Sequence, residues 1–160
     1  MKFDNFRTII SLRIKLFAAT VIFLAFIVIT FVAKLIKYPL LGMSETSWTL
    51  ILVAVYAFFV FLPMILNYQF VSYSDDEEKI VFRYFTAGMV GGKKNSVEIN
   101  KRSFTGYKIE TKLFGLKQSI ILFQQFKEGV AEYPPIFISA LNRGQKAKLF
   151  KSLNLHIPKV

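Results

Sequence analysis

The sequence has no cysteine and a single histidine, His156, close to its C-terminal end. The absence of cysteine excludes a disulfide framework and a thiolate metal site within this chain. The motifs GxSxG, HExxH and GxxxxGK[ST], which mark hydrolases, metalloproteases and phosphate-binding loops, are also missing. Acidic residues are few, because ten Asp and Glu stand against 21 Lys and Arg, for a net charge of +11. The sequence therefore predicts a basic protein that is not an enzyme and holds no cofactor and no metal.

Two long apolar runs occupy the N-terminal half, at residues 16–36 and 48–68. A bilayer core about 30 Å thick is crossed by about 20 apolar helical residues. We therefore expect a transmembrane helical hairpin over residues 16–70. A cleavable signal peptide is the alternative, but its apolar core would have only about 7–15 residues and would end at a small-residue site.

Basic residues flank these runs unequally. Residues 1–15 contain four of them, whereas two, Lys34 and Lys37, lie at the other side of the first run, next to its end. Cytoplasmic flanks of membrane proteins are enriched in Lys and Arg. We therefore expect a bacterial inner (plasma) membrane protein with both termini in the cytoplasm, in which residues 1–15 are a basic flank. An interfacial helix, or the beginning of the first span, is the alternative for this flank.

Residues 71–160 change to short alternating segments, which predict β-strands separated by turns. The last part of the chain, residues 141–156, has helical period instead, with Asn142 and Gln145 placed to form a capping box. The predicted turns are the acidic run Asp75–Glu78, residues 86–92, residues 113–117 around Gly115, and residues 127–132. The predicted strands are 69–74, 79–85, 95–100, 103–112, 119–126 and 133–139. The parity of apolar residues in 103–112 leaves its inward face ambiguous.

The order of these elements resembles a group of bacterial membrane proteins in which two transmembrane helices precede a bacterial pleckstrin-homology-like (PH-like) domain. The resemblance covers residues 16–156 and depends on the helix pair, the immediate strand, the hairpin Ser72–Phe85 and the final helix. It implies a PH-like antiparallel β-barrel or sandwich closed by a C-terminal α-helix. It also implies a non-enzymatic module that scaffolds proteins or lipids at the membrane.

Basic residues in or beside the predicted strand ends form the candidate site. Glu98 and Glu110 are the acidic residues that offset them over this span. Each Lys or Arg near an anionic leaflet contributes about 1 kcal/mol to membrane binding. The sequence thus predicts lipid-headgroup binding at the inner leaflet, with ordinary solubility and positive-inside bias as the alternative, and it does not favour nucleic acid. The seven residues are Lys93, Lys94, Lys101, Arg102, Lys108, Lys112 and Lys117.

Other interpretations of single motifs are weaker. The stretch Gly92–Lys94 could bind phosphate, but its spacing fits a hairpin turn better, and four consecutive acids at Asp75–Glu78 are more typical of a solvated turn than of a cation site. The expected function is a protein- or lipid-headgroup-interaction module within a membrane complex, with a membrane protein or a second copy as partner. The alternative is a small subunit of an oligomeric transporter or channel. Transport by one chain alone is disfavoured, since the spans lack ionisable residues at depth.

Overall fold

The computed structural model describes residues 1–87 and 92–158. The chain divides into two compact units, a helical unit, Ser11–Ile65, and a β domain made of Met1–Ile10 with Leu66–Val160. The predicted division has boundaries after residues 15 and 70, so it differs from this one mainly at the N-terminus. There the first ten residues are part of the β domain because they supply a strand and a helix turn to it.

The helical unit contains two helices that are long and apolar enough to cross a membrane. The first, α1 (Phe6–Ile27), continues into a π-helical turn, Val28–Val32, and the second, α2, is Glu45–Ile65. Each of the two helices begins and ends at residues N-terminal to those of the corresponding predicted span, 16–36 or 48–68. Each helix begins before the predicted span because a polar side chain accepts a hydrogen bond from a backbone N–H of its first turn.

Each helix begins at a side chain that accepts a hydrogen bond from the backbone. The Asp4 carboxylate accepts one from the N–H of Phe6 at 2.9 Å, and Ser44 Oγ accepts one from the N–H of Ser47 at 3.3 Å. Ser44 therefore caps α2. Within the unit, Thr20 Oγ1 lies 3.1 Å from the Tyr56 hydroxyl, which joins the two helices by a polar contact.

The β domain contains two antiparallel sheets and a C-terminal helix. The first sheet has the order β1-β2-β3-β4, and in the second β6 pairs with β5, β7 and β8. This agrees with a helical hairpin followed by an α+β domain. The strands are β1 Lys2–Asp4, β2 Gln69–Ser74, β3 Lys79–Thr86, β4 Asn95–Asn100, β5 Phe104–Lys112, β6 Lys117–Phe126, β7 Gly129–Glu132 and β8 Ile136–Phe137.

Three strands differ from the sequence prediction. Strand β1 lies in the predicted basic flank, and β7 lies in the segment predicted as a turn, 127–132. The predicted strand 133–139 is reduced to β8, because Pro134 and Pro135 cannot donate to a ladder. The predicted glycine turn, 86–92, includes Gly88 and Gly91, which lie outside the described residues.

The core follows the alternation of the strands. Every second residue of β2, β3 and β4 is buried, as in Val71 and Tyr73. The ambiguous parity of β5 is resolved by a bulge between Phe104 and Gly106. Because the bulge shifts the alternation by one residue, Phe104 is buried in the core and Tyr107 packs against it.

The C-terminal helix α3 (Arg143–His156) covers this core with Leu149 and Leu153. Its predicted capping box is confirmed, since Asn142 and Gln145 exchange both hydrogen bonds. The Gln145 side chain also donates to the carbonyl of Asp4 at 2.7 Å. The beginning of α3 therefore contacts the strand that precedes α1.

Asn5 fixes the place where β1 becomes α1. Its side chain is 1% exposed and donates to the carbonyl of Gln69 at 2.9 Å, while its Oδ1 accepts from the N–H of Val71 at 2.8 Å. Its own carbonyl accepts from the N–H of Ile9 at 3.1 Å, as the first bond of the helix. One side chain thus joins the beginning of α1 to the beginning of β2.

Candidate functional site

The β domain has two ends that differ in their chain connections. At one end the chain passes into the helical unit after Ile10 and returns at Leu66. We call this the junction end. Apolar residues pack together there in a cluster that we call the junction cluster. Its members are Ile9, Tyr68, Phe70, Ala87 and Ala140. The opposite, or far, end holds the β2–β3 turn, Asp75–Glu78, and the short helical turn Lys101–Ser103.

Lys93 and Lys94 are placed at the junction end. They directly precede β4, whose first residue, Asn95, pairs with Tyr84 near the end of β3. The neighbouring Gly92 packs against Thr86, where an added Cβ would lie 3.1 Å from the Thr86 Cβ. Both lysine side chains are exposed. The structure therefore brings this pair of predicted site residues beside the place where the chain enters the helical unit.

Lys112 and Lys117 form the last ladder pair of the β5–β6 hairpin. A continuous set of contacts connects this pair to the junction cluster. Gln118, next to Lys117, donates its backbone N–H to Ser139 Oγ at 2.9 Å, and Ser139 precedes Ala140 of the cluster. The second pair of predicted site residues therefore also lies at the junction end.

One carboxylate partly balances the charge of this hairpin. Glu110 lies 3.4 Å from Lys112 Nζ and 3.5 Å from Lys108 Nζ. The ammonium of Lys112, and after it that of Lys108, holds the pKa of the Glu110 carboxyl below its ordinary value. The lysine side chains remain well exposed, at 63% and 69%, and exposed pairs of this kind contribute little to stability. Lys117 Nζ lies 5.2 Å from the centre of the Phe137 ring.

Lys101 and Arg102 are separated from the others, because they lie at the far end. Lys101 Nζ donates to the backbone carbonyls of Asp75 and Glu77 at 2.5 and 2.7 Å. Arg102 lies 4.0 Å from the Glu78 carboxylate. These contacts close the β2–β3 turn, so these two members of the predicted set have partners within the domain.

Asp75 is the centre of a polar network at the far end that the sequence did not reveal. Its side chain, 12% exposed, contacts the amino group of Met1, the hydroxyl of Ser152 and, at 3.5 Å, His156 Nε2. Burial by itself would raise the pKa of this carboxyl, but hydrogen bonds from the Met1 amino group and the Ser152 hydroxyl, together with the charge of that amino group, outweigh burial and hold the pKa below its ordinary value. The network therefore fastens the end of α3 to the β2–β3 turn.

Ser152, Asp75 and His156 do not form a nucleophilic triad. A serine nucleophile needs a base, usually imidazole, on its hydroxyl. Here the carboxylate contacts the serine directly, and the hydroxyl is also 2.6 Å from that of Tyr73. Burial raises the pKa of Tyr73, so its hydroxyl stays protonated. Over residues 1–87 and 92–158, no group of three or more His, Cys, Asp and Glu is arranged to hold a metal ion.

The far end also has an open cleft of about 600 Å³ beside the acidic turn. Four carboxylates and Lys79 line most of it, and Lys79 lies 3.4 Å from Glu98. The far end thus carries carboxylates together with Lys79, Lys101 and Arg102. Lys93, Lys94, Lys112 and Lys117 lie at the junction end, where Glu110 partly balances their charge.

The tip of the β5–β6 hairpin, Leu113–Leu116, was predicted only as a turn. Its three apolar side chains are exposed, and that of Phe114 is fully exposed. Leu113 and Phe114 both have φ of +53°, a left-handed conformation that bulky residues rarely adopt. The sequence did contain a signal for this tip, because Leu113 and Phe114 precede Gly115 at positions where hairpin turns favour Asn or Asp.

Comparison of the chain with protein-family models, with curated proteins and with solved structures gives no significant match.

Proposed function

We propose that this chain is a non-enzymatic, membrane-anchored interaction module whose β domain binds anionic lipid headgroups at the surface of the membrane that holds its helices. The single observation that supports this most directly is the position of Lys93, Lys94, Lys112 and Lys117 at the junction end. The candidate span α2 ends at Ile65 and β2 begins at Gln69, so three residues connect the span to the β2 strand, which begins at this end of the domain.

Electrostatics favours this orientation. Each lysine near an anionic leaflet contributes about 1 kcal/mol, which is about a fivefold change in binding. The carboxylates of the β2–β3 turn are at the opposite end, so a leaflet at the junction end is not repelled by them. The pleckstrin-homology-like assignment is part of the proposal, and two antiparallel sheets with a C-terminal helix support it.

The proposed location is the bacterial inner membrane, with both termini in the cytoplasm and the module within a membrane complex. This orientation places the lysines against the inner leaflet. A reporter fused after residue 160 is expected to show cytoplasmic activity, and a periplasmic signal would contradict the orientation.

Headgroup binding is tested with the full chain in nanodiscs, because residues 1–10 supply a strand of the domain. Hydrogen–deuterium exchange is compared between phosphatidylcholine nanodiscs and nanodiscs that also contain phosphatidylglycerol. We expect slower exchange around residues 92–95 and 111–118 with the anionic lipid, reversed by high salt. Equal exchange in both nanodiscs would contradict headgroup binding and leave a protein partner as the occupant of this end.

Charge reversal gives the matched control for this experiment. Lys93→Glu together with Lys94→Glu is expected to abolish the lipid-dependent protection around residues 92–95. Lys127→Glu reverses one lysine between β6 and β7, near the far end, and is compared with Lys94→Glu alone, which changes the charge by the same amount. Lys127→Glu is expected to leave the protection unchanged.

A further inference from the structure

We propose that the hairpin tip, Leu113–Leu116, is an apolar wedge that inserts into the leaflet bound by the junction end. The inference rests on the proposed function, since it uses the same end of the domain and the same membrane. The apolar side chains of Leu113, Phe114 and Leu116 would add a second mode of membrane contact to that of the lysines. The occupant is the boundary between headgroups and acyl chains of a lipid leaflet.

The exposure of the tip is the first observation. Among the described residues, the side chains of Leu113, Phe114 and Leu116 are 46%, 106% and 62% exposed, and they lie within four consecutive residues. Exposed apolar clusters of this kind mark surfaces that contact a membrane or a partner. A tip that served only to reverse the chain would be more stable with polar side chains.

The backbone of the tip is the second observation. The N–H of Leu116 donates to the carbonyl of Leu113 at 3.1 Å, so Phe114 and Gly115 are the central residues of the turn, with φ of +53° and +91°. Glycine adopts this conformation without strain, whereas a non-glycine residue there costs about 1–3 kcal/mol. The sequence therefore keeps a bulky apolar residue where Asn would be more stable and more soluble. Contact with an apolar phase accounts for both the apolar side chain of Phe114 and its retention in a left-handed conformation.

The position of the tip is the third observation. Strand β5 begins beside the far end at Phe104 and finishes at Lys112, so the tip projects beyond the last ladder pair on the junction side. A strand advances about 3.3 Å per residue, and the tip is thus within about 10 Å of Gln118, which contacts Ser139 in the turn that leads into the junction cluster. The junction end of the domain therefore carries the wedge.

The charges around the tip are the fourth observation, and they favour lipid over protein. Lys112 and Lys117 lie on either side of the wedge, at the level where phosphate groups would be when the apolar side chains reach the acyl boundary. Lysine stems are suited to this arrangement because they bury methylene groups and keep the ammonium in the headgroup layer. Basic residues around apolar tips are typical of segments that bind anionic interfaces.

The test uses spin labels, which the absence of cysteine makes straightforward. Leu116→Cys places a label on the wedge, and Val130→Cys places one on an exposed apolar site of β7 at the far side of the domain. Relaxation by oxygen and by a water-soluble nickel complex is measured for the full chain in anionic nanodiscs. We expect the label at 116 to be relaxed more by oxygen and less by nickel than the label at 130.

Phe114→Asn is the variant that tests the role of the wedge without disturbing the turn, because Asn tolerates the left-handed conformation. In this variant, nickel relaxation at 116 is expected to rise to the level seen at 130. Equal nickel relaxation at 116 and 130 in the original chain would overturn the proposal. Shielding of 116 from both oxygen and nickel would also overturn it, because that pattern reports burial against protein or a second copy.

The two proposals fail separately. Lipid-dependent exchange protection with a nickel-accessible label at 116 would leave headgroup binding intact and remove the wedge. An oxygen-accessible label at 116 in phosphatidylcholine and anionic nanodiscs alike, without lipid-dependent protection at 92–95, would support the wedge and remove the electrostatic function.

Discussion

The two ends of the β domain use lysine in different ways. At the far end, Lys101 donates to two backbone carbonyls and holds a turn together. At the junction end, Lys93 and Lys94 are exposed, and the exposed Lys112 Nζ lies 3.4 Å from the Glu110 carboxylate. Lysines that the sequence presents as one basic set therefore divide into a structural group and a group available to a ligand. The following predictions test that division.

The largest effect is expected at Asn5, which is part of the junction end but acts only on stability. Asn5→Ala leaves the carbonyl of Gln69 and the N–H of Val71 without their partner. We expect a loss of about 2–4 kcal/mol in the free energy of unfolding. Urea unfolding of the full chain in micelles, followed by tyrosine circular dichroism, measures it.

Asn100→Ala is the matched control, since the Asn100 side chain accepts one exposed backbone hydrogen bond, from Arg102. Its expected cost is about 0.5–1 kcal/mol. Equal costs at the two asparagines would contradict the role given to Asn5.

The next effect is a pH dependence at the far end. The pKa of Asp75 is below its ordinary value in the folded chain, so its contribution is present above about pH 4 and is lost as the pH falls through the folded pKa. Asp75→Asn is expected to cost about 1–3 kcal/mol near neutral pH and to flatten the acid limb of the stability curve.

Asp76→Asn serves as the comparison for Asp75, because its side chain is 57% exposed. The pKa of Asp76 is also lowered, first by its hydrogen bond from Met1 and then by that from Ser74, so part of the acid limb remains in Asp75→Asn. An unchanged acid limb in Asp75→Asn would contradict the network.

The smallest change in stability, and the clearest contrast, comes from one lysine at each end. Lys101→Ala removes two hydrogen bonds and is expected to cost about 1–2 kcal/mol without changing lipid-dependent exchange at 92–95. Lys94→Ala is expected to weaken anionic-lipid binding about fivefold with little change in stability. The reverse pattern would contradict the division of lysines between the two ends.

The elements of the β domain could be predicted where local pattern decides them. The alternation of apolar and polar residues predicted β2, β3 and β4, because burial of one face of a strand is a local requirement. The capping box predicted the beginning of α3, because the backbone groups at a helix end are also paired locally. Strand β1 could not be predicted, since three residues before a helix carry no period of their own. It is ordered by pairing with a strand that begins more than 60 residues later in the chain.

The candidate site shows the same limit. The sequence identified seven basic residues, but their division between the ends depends on strand register, which separates Lys101 from Lys94 by the length of β4. The Asp75 network brings together Met1, the β2–β3 turn and α3, so no local pattern could indicate it.

By itself, the sequence determined that two helices are long and apolar enough to cross a membrane and that an α+β domain follows them. Chain composition and period are sufficient for this because they fix which faces must avoid water. Only the tertiary structure decided that the first ten residues belong to the β domain, that Lys101 and Arg102 lie at the opposite end from Lys94 and Lys112, and that an apolar tip projects beside Lys112. The physical reason is that antiparallel pairing joins residues far apart in the chain, and the position of a charge follows from that pairing.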